Sequence, residues 1–160
     1  MWQRIYLHHA GAAALTAALL LGAASLAQNK AAAPEAGIGV ISTDRAAKPV
    51  ATFSQAVTAN GFIFVAGITP RDPKTGHVIE GDISQQTERV LENIKGILEA
   101  GGSSLARSVK TTVYLQNMGD FDAMDKVYAR YFPSNPPARS TVEVSRLHAG
   151  RVEIELIALR

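Results

Sequence analysis

The chain has 160 residues, 47% hydrophobic and 19% charged, with 16 Lys+Arg against 14 Asp+Glu and no cysteine. That apolar fraction excludes a disordered chain, and the length suits one ordinary domain. The missing cysteine excludes a disulfide scaffold, a Cys-ligated zinc or iron–sulfur centre and a thiol nucleophile, and a net charge of +2 gives little footing for nucleic-acid binding.

Residues 1–27 carry the three zones of a secretory signal peptide. Arg4 with His8 and His9 makes the positive start, an apolar run covers residues 10–24, and Ser25-Leu26-Ala27 supplies the small residues a signal peptidase reads. The run is shorter than the roughly 20 apolar residues a bilayer core requires and is rich in weakly hydrophobic alanine, so cleavage after Ala27 is favoured over a retained membrane anchor. The expected location is periplasmic or secreted. Such compartments are usually oxidising, and without cysteine the fold depends on its core alone. Residues 28–39 (QNKAAAPEAGIG) are small and aperiodic and read as a linker, leaving residues 40–160 as the folded domain.

Within that domain, residues 51–58 and 62–67 flank Ala59-Asn60-Gly61, and Asn-Gly between apolar runs predicts a hairpin because both residues tolerate positive φ. Residues 69–77 are dense in turn formers and predict a loop. Asp82 with Gln85 three positions on predicts a capped helix, whose stripe is Ile83, Val90, Leu91, Ile94, Ile97 and Leu98 and whose end is Gly101-Gly102. Residues 108–115 alternate and are β-branched, which predicts a strand. Asp120 caps a second helix with Phe121, Met124, Val127, Tyr128 and Tyr131 on one side, stopped before Pro133. Residues 140–147 and 151–159 complete the pattern as two strands. The order ββαβαββ predicts an α+β fold, a mixed sheet with two helices on one face.

Searches for familiar catalytic and ligand-binding motifs find no GxSxG, GxGxxG, P-loop or HExxH. Beyond the signal the histidines are His77 and His148, which read as surface or loop residues without a metal-ligand cluster. Basic residues are scattered, without an aromatic-interleaved stripe, so no nucleic-acid partner is expected.

The last two strands are more informative. Arg139 follows Pro136-Pro137-Ala138 at the start of one, and Glu153 and Glu155 share a face of the other. Taken singly, each charge is accounted for by a wet sheet face. The glutamate face also carries Ile157 and Leu159, however, and charges on an otherwise apolar face need partners or a cavity. If the two strands formed a simple hairpin across His148-Ala149-Gly150, Glu153 would pair near Ser145, with Arg139 roughly 20 Å away. The two could then share a site only if another strand or another subunit intervened.

The run Pro137-Ala138-Arg139-Ser140-Thr141-Val142-Glu143-Val144-Ser145-Arg146-Leu147, followed by Val152-Glu153-Ile154-Glu155, resembles the signature of the RidA (YjgF-type) reactive-imine deaminases, also labelled the endoribonuclease L-PSP family. Val109-Lys110-Thr111-Thr112-Val113-Tyr114-Leu115 resembles that family's central strand, and Pro70, Asp72-Pro73, Thr75-Gly76 and Asn93-Ile94-Lys95 fall in family-like places. The resemblance covers nearly the whole region beyond the linker. It implies a chorismate-mutase-like fold, a homotrimer with clefts between subunits, and hydrolysis of 2-imino acids to 2-keto acids and ammonia without metal or organic cofactor. It assigns Arg139 to the substrate carboxylate and Glu153 to positioning the attacking water. A guanidinium grips a carboxylate in a fork, and an imine reactive toward water needs little beyond orientation and a carboxylate acting on that water.

Substrate-binding positions implied in the same way are Phe53, Ala66, Gly67, Ile68, Asp125, Ala138 and Thr141. Several depart from the family's pattern. Phe53 stands where tyrosine is frequent, Ala66 replaces a serine, Ile68 a glutamine, Thr141 a cysteine and Asp125 an asparagine. One wall of the cleft is therefore expected to be more apolar. Asp125 has two readings. Ionised at about 6 Å from a substrate carboxylate, it would oppose binding by roughly 3 kcal/mol at an effective dielectric of 20, about a hundredfold; alternatively, it lies in an early helical turn and faces solvent.

Three functions compete at this level: an exported imine deaminase with an altered substrate, a non-catalytic trimer binding a small carboxylate or a partner, and the endoribonuclease or translation inhibitor that some relatives are labelled. The near-neutral charge and the export signal oppose the third.

Overall fold

The computed structural model describes residues 37–160; the expected signal peptide and residues 28–36 of the expected linker lie outside them. Strand β1 (Gly39–Ile41) is followed by β2 (Ala56–Ala59), β3 (Phe62–Ile68), helix α1 (Ile83–Ala100), β4 (Ser108–Leu115), helix α2 (Phe121–Tyr131), β5 (Ala138–Glu143) and β6 (Val152–Leu159). These strands form one six-stranded mixed sheet in the order β1-β2-β3-β6-β4-β5, with both helices on one face. The α+β prediction holds, with β1 as an additional strand that pairs antiparallel to β2 at the edge.

The β2–β3 hairpin turns at Asn60 and Gly61, with φ of 48° and 79°, as the Asn-Gly signal requires. Its first strand is shorter than expected. Residues 51–54 lie outside the ladder, Gln55 keeps one backbone bond from the Ala66 N–H, and its buried side chain holds the preceding loop: its amide donates to the carbonyls of Thr43, Ala46 and Ala47, and its oxygen accepts from the Thr43 N–H at 2.7 Å.

Helix α1 starts with the full capping box, Asp82 accepting from the Gln85 N–H and Gln85 accepting from the Asp82 N–H. Its predicted stripe is buried throughout, together with Gln86, Thr87 and Asn93. Asp120 does not cap α2 with its side chain; a short 3-10 turn, Met118–Asp120, precedes that helix, and the Asp120 carboxylate pairs instead with Arg151 at 2.8 Å.

The largest departure from the sequence pattern concerns the last two strands. They are not a hairpin. Strand β5 ends at Glu143 rather than Leu147 and runs parallel to β4, across the α2 crossover, while β6 pairs antiparallel to β4 on its other side. Strand β4 therefore separates β5 from β6. Buried residues of β6 (Val152, Ile154, Leu156, Ala158) meet Leu91, Ile94 and Leu98 of α1 and Met124 of α2 in one core. Among the described residues no helix lies over the other face of the sheet, which displays Val40, Phe64, Val142 and Leu159, Phe64 at 39% exposure.

Leu91 is fully buried at the centre of that core. Leu91→Ala should cost about 2–5 kcal/mol of unfolding free energy by transfer plus cavity terms, measurable by urea denaturation.

Candidate functional site

The alternation of strands divides the expected site residues into two groups. Arg139 is level with Thr111 of β4 and Leu156 of β6, both buried on the helix side. Glu153 is level with Tyr114, an odd number of residues along the same β4 strand, and so leaves the opposite face. Two strand spacings and three residues of rise put their Cα atoms roughly 14 Å apart. One chain does not bring these two side chains together.

The first group surrounds Glu153. Strand β3 carries a bulge between Val65 and Ile68 where it pairs with β6, and Gly67 lies in it. The Glu153 carboxylate lies directly against Gly67, where any Cβ would overlap its Oε1. A cleft of about 470 Å³ opens here, lined by Phe53, Ala66, Gly67, Ile68 and Glu153 among others. All the β3 residues expected in the site thus converge on the glutamate, and Phe53, 49% exposed, forms an apolar rim. The loop pinned by Gln55 forms part of the wall, with Ala46, Ala47, Pro49 and Val50. It is held to α1 by Arg45, whose guanidinium donates to the Gly96 carbonyl and pairs with Glu99 at 2.9 Å.

The Glu153 carboxyl is pushed above its ordinary value of 4.5, mainly by burial and then by the neighbouring Glu155 charge, with His148 acting in the opposite direction. A partly desolvated carboxylate is a better proton acceptor than one in water, which suits work on a bound water molecule.

Two further residues of this cleft, His148 and the family-like Asn93, have no site role in the sequence reading. His148 is a loop residue, as expected, but it borders the cleft and acts electrostatically on Glu153. Asn93 also lines it, donating to the Arg71 carbonyl at 2.8 Å while its own Oδ1 has no partner among the described residues. Its signal was available: Asn93 falls in phase with Val90 and Ile97, so a polar group had to be buried on the stripe.

The second group surrounds Arg139. Its guanidinium lies 4.5 Å from the Tyr128 ring centroid and 5.6 Å from that of Phe121, and Nη1 meets Asp125 Oδ1 at 2.7 Å. The Tyr128 hydroxyl is itself tied to Thr111 at 2.7 Å. Asp125 is therefore neither an isolated repelling charge nor a mere surface residue. It is the ion-pair partner of the arginine, with 44% of its own side chain still exposed against 21% for Arg139. Thr141 follows two residues on along the same face, and its buried Oγ1 has no partner among the described residues. Ala138, level with Lys110, is exposed on the opposite face.

Fold and geometry define a small α+β protein with two separate groups of charged residues, one acidic in an apolar cleft and one built on an aromatic-stacked arginine. The Endoribonuclease L-PSP family model matches residues 43–160, and the chain belongs to this family, which includes RidA and RutC proteins. A RutC family protein of Pyrococcus horikoshii is 54% identical over 122 residues, covering 76% of this chain and 97% of the relative. The 2-iminobutanoate/2-iminopropanoate deaminase of Homo sapiens is 37% identical over 122 residues, covering 76% and 89%. Among solved structures, RidA from an Antarctic Psychrobacter superposes with a TM-score of 0.73 at 39% identity, covering 76% of this chain and 98% of that one.

The raised value at Glu153 has a thermodynamic consequence. The folded state retains the proton above 4.5, where the unfolded state has released it, so stability falls as pH rises through the interval between the two values. Glu153→Gln should raise the melting temperature relative to wild type at about pH 7, with the gain vanishing at about pH 3 and below, where both states are protonated.

Proposed function

We propose that this protein is an imine deaminase that hydrolyses 2-imino acids to 2-keto acids and ammonia, working as a homotrimer whose sites form between subunits. The separation of Arg139 and Glu153 onto opposite faces carries the assembly part of this reading. Each half-site lacks what the other holds, and a neighbouring copy would supply it. The uncovered apolar face, with Val40, Phe64, Val142 and Leu159 exposed, favours self-association because soluble monomers rarely leave such a patch wet. The deaminase relative supports the reaction class.

In this reading Arg139 binds the substrate carboxylate, and the stacking of Tyr128 and Phe121 keeps the guanidinium from swinging away. Glu153 of the adjacent subunit takes a proton from a water whose oxygen attacks the C=N carbon. The C=N electron pair of the protonated imine moves onto nitrogen, giving a neutral carbinolamine; Glu153 returns its proton to that nitrogen, and the C–N bond breaks as the hydroxyl proton passes to Glu153 or water, leaving the keto acid and ammonia. The substrate side chain lies against Phe53, Ala66 and Ile68, which favours apolar groups. The features of residues 1–27 support export to the periplasm or beyond the cell.

Turnover of imines generated in place by an amino-acid oxidase should fall by at least about a hundredfold in Arg139→Ala and in Glu153→Ala. Co-refolding the two inactive variants in equal amounts should recover about a quarter of wild-type activity, the fraction of randomly assorted interfaces that join an intact arginine to an intact glutamate. No recovery from such a mixture would place each complete site within one chain. Wild-type rates in both single variants would remove these two residues from the reaction, and a wild-type rate no faster than hydrolysis without protein would end the deaminase reading in favour of a binding protein.

Intact-mass measurement of the protein recovered from a periplasmic or culture fraction should show an N-terminus at Gln28. A full-length mass confined to the cell interior would contradict export.

A further inference from the structure

The geometry points to Asp125 as a specificity-determining residue that makes the Arg139 site select a ligand carrying a carboxylate and an adjacent cationic nitrogen over one carrying the carboxylate alone. For its biological ligand this inference rests on the deaminase reading, where it means that the protonated imine is held in preference to the keto-acid product.

The Arg139 guanidinium offers more than one hydrogen-bonding edge. Asp125 Oδ1 engages Nη1 at 2.7 Å, and among the described residues the Arg139 side chain makes no other hydrogen bond or ion pair. The rings of Tyr128 and Phe121 flank the group, so it cannot rotate freely to leave Asp125 behind. The Asp125 side chain is 44% exposed, which leaves part of its carboxylate open to a ligand. A ligand therefore meets not a lone cation but a cation and an anion side by side.

That arrangement discriminates by charge pattern. A carboxylate docking on the free edge of Arg139 comes within a few ångström of the Asp125 carboxylate, and like charges at that range oppose binding. A protonated nitrogen on the neighbouring carbon reverses the sign, because it can donate to Asp125 while the carboxylate accepts from Arg139. An iminium or ammonium carboxylate has this pattern. A keto acid has a carbonyl oxygen at the same place, which offers Asp125 no donor and adds a second acceptor facing it. Product is thereby disfavoured at the group that binds substrate.

The test is titration calorimetry on the purified assembled protein with two probes of equal carbon skeleton, 2-aminobutanoate and 2-oxobutanoate. Wild type should bind the amino acid at least about tenfold more tightly than the keto acid. Asp125→Asn, nearly isosteric, should shrink that ratio by at least about tenfold, chiefly by tightening 2-oxobutanoate, while Asp125→Glu should keep much of the preference. A ratio unchanged within about threefold in Asp125→Asn overturns the inference, whether both ligands tighten equally, as for a uniformly repelling charge, or both weaken equally, as for a residue that only positions Arg139. Failure of wild type to bind either probe overturns it as well. Imine turnover is scored separately: absent turnover with the ratio and its Asp125 dependence intact would sink the deaminase reading and leave this one standing.

Discussion

The placement of β4 between β5 and β6 is the constraint on which the rest of the molecule depends. It turns two strands that are neighbours in sequence into strands separated by a third, and the strict alternation of side chains then puts Arg139 and Glu153 on opposite faces. A one-residue change in either register would move each charge to the other side of the sheet, arginine to the open face and glutamate into the core. The registers are held by what lies on the helix face, where Thr111, Val113 and Leu115 of β4 and Val152, Ile154 and Leu156 of β6 are buried against α1 and α2.

Each of the two groups is held by local means of a different kind. At the glutamate the device is backbone shape: a bulge in β3 and a glycine without a side chain let the carboxylate fold against the strand and lose part of its water. At the arginine the device is stacking and charge, with two rings holding the guanidinium and Asp125 engaging one edge. Phe53, Ala66 and Ile68 give the glutamate's cleft an apolar lining, whereas Asp125 sets a charge beside the arginine.

Much of this is legible in the sequence. The Asn-Gly turn, the Asp82–Gln85 box and the apolar stripe of α1 are local signals, each contained within a few residues, and each forms as read. The misreadings have a common cause. Strand β2 starts late where the Gln55 side chain spends its hydrogen bonds on a loop up to 12 residues away, and Asp120 abandons its cap for Arg151, 31 residues distant. A side chain that finds a remote partner overrides the propensity of its neighbours, and no window of sequence contains that partner.

The sequence by itself determined the elements, the α+β class and the family, because periodicity, turn chemistry and a contiguous signature are all short-range properties of the chain. It also named Arg139, Glu153 and Asp125. Only the tertiary structure decided how they stand to one another: that Glu153 is partly desolvated in a cleft, that Arg139 leaves the other face, and that Asp125 is bound to that arginine rather than free in water. Those relations follow from strand order, and strand order is fixed by burying the apolar faces of α1, α2 and β6 together, a long-range condition that no local pattern encodes.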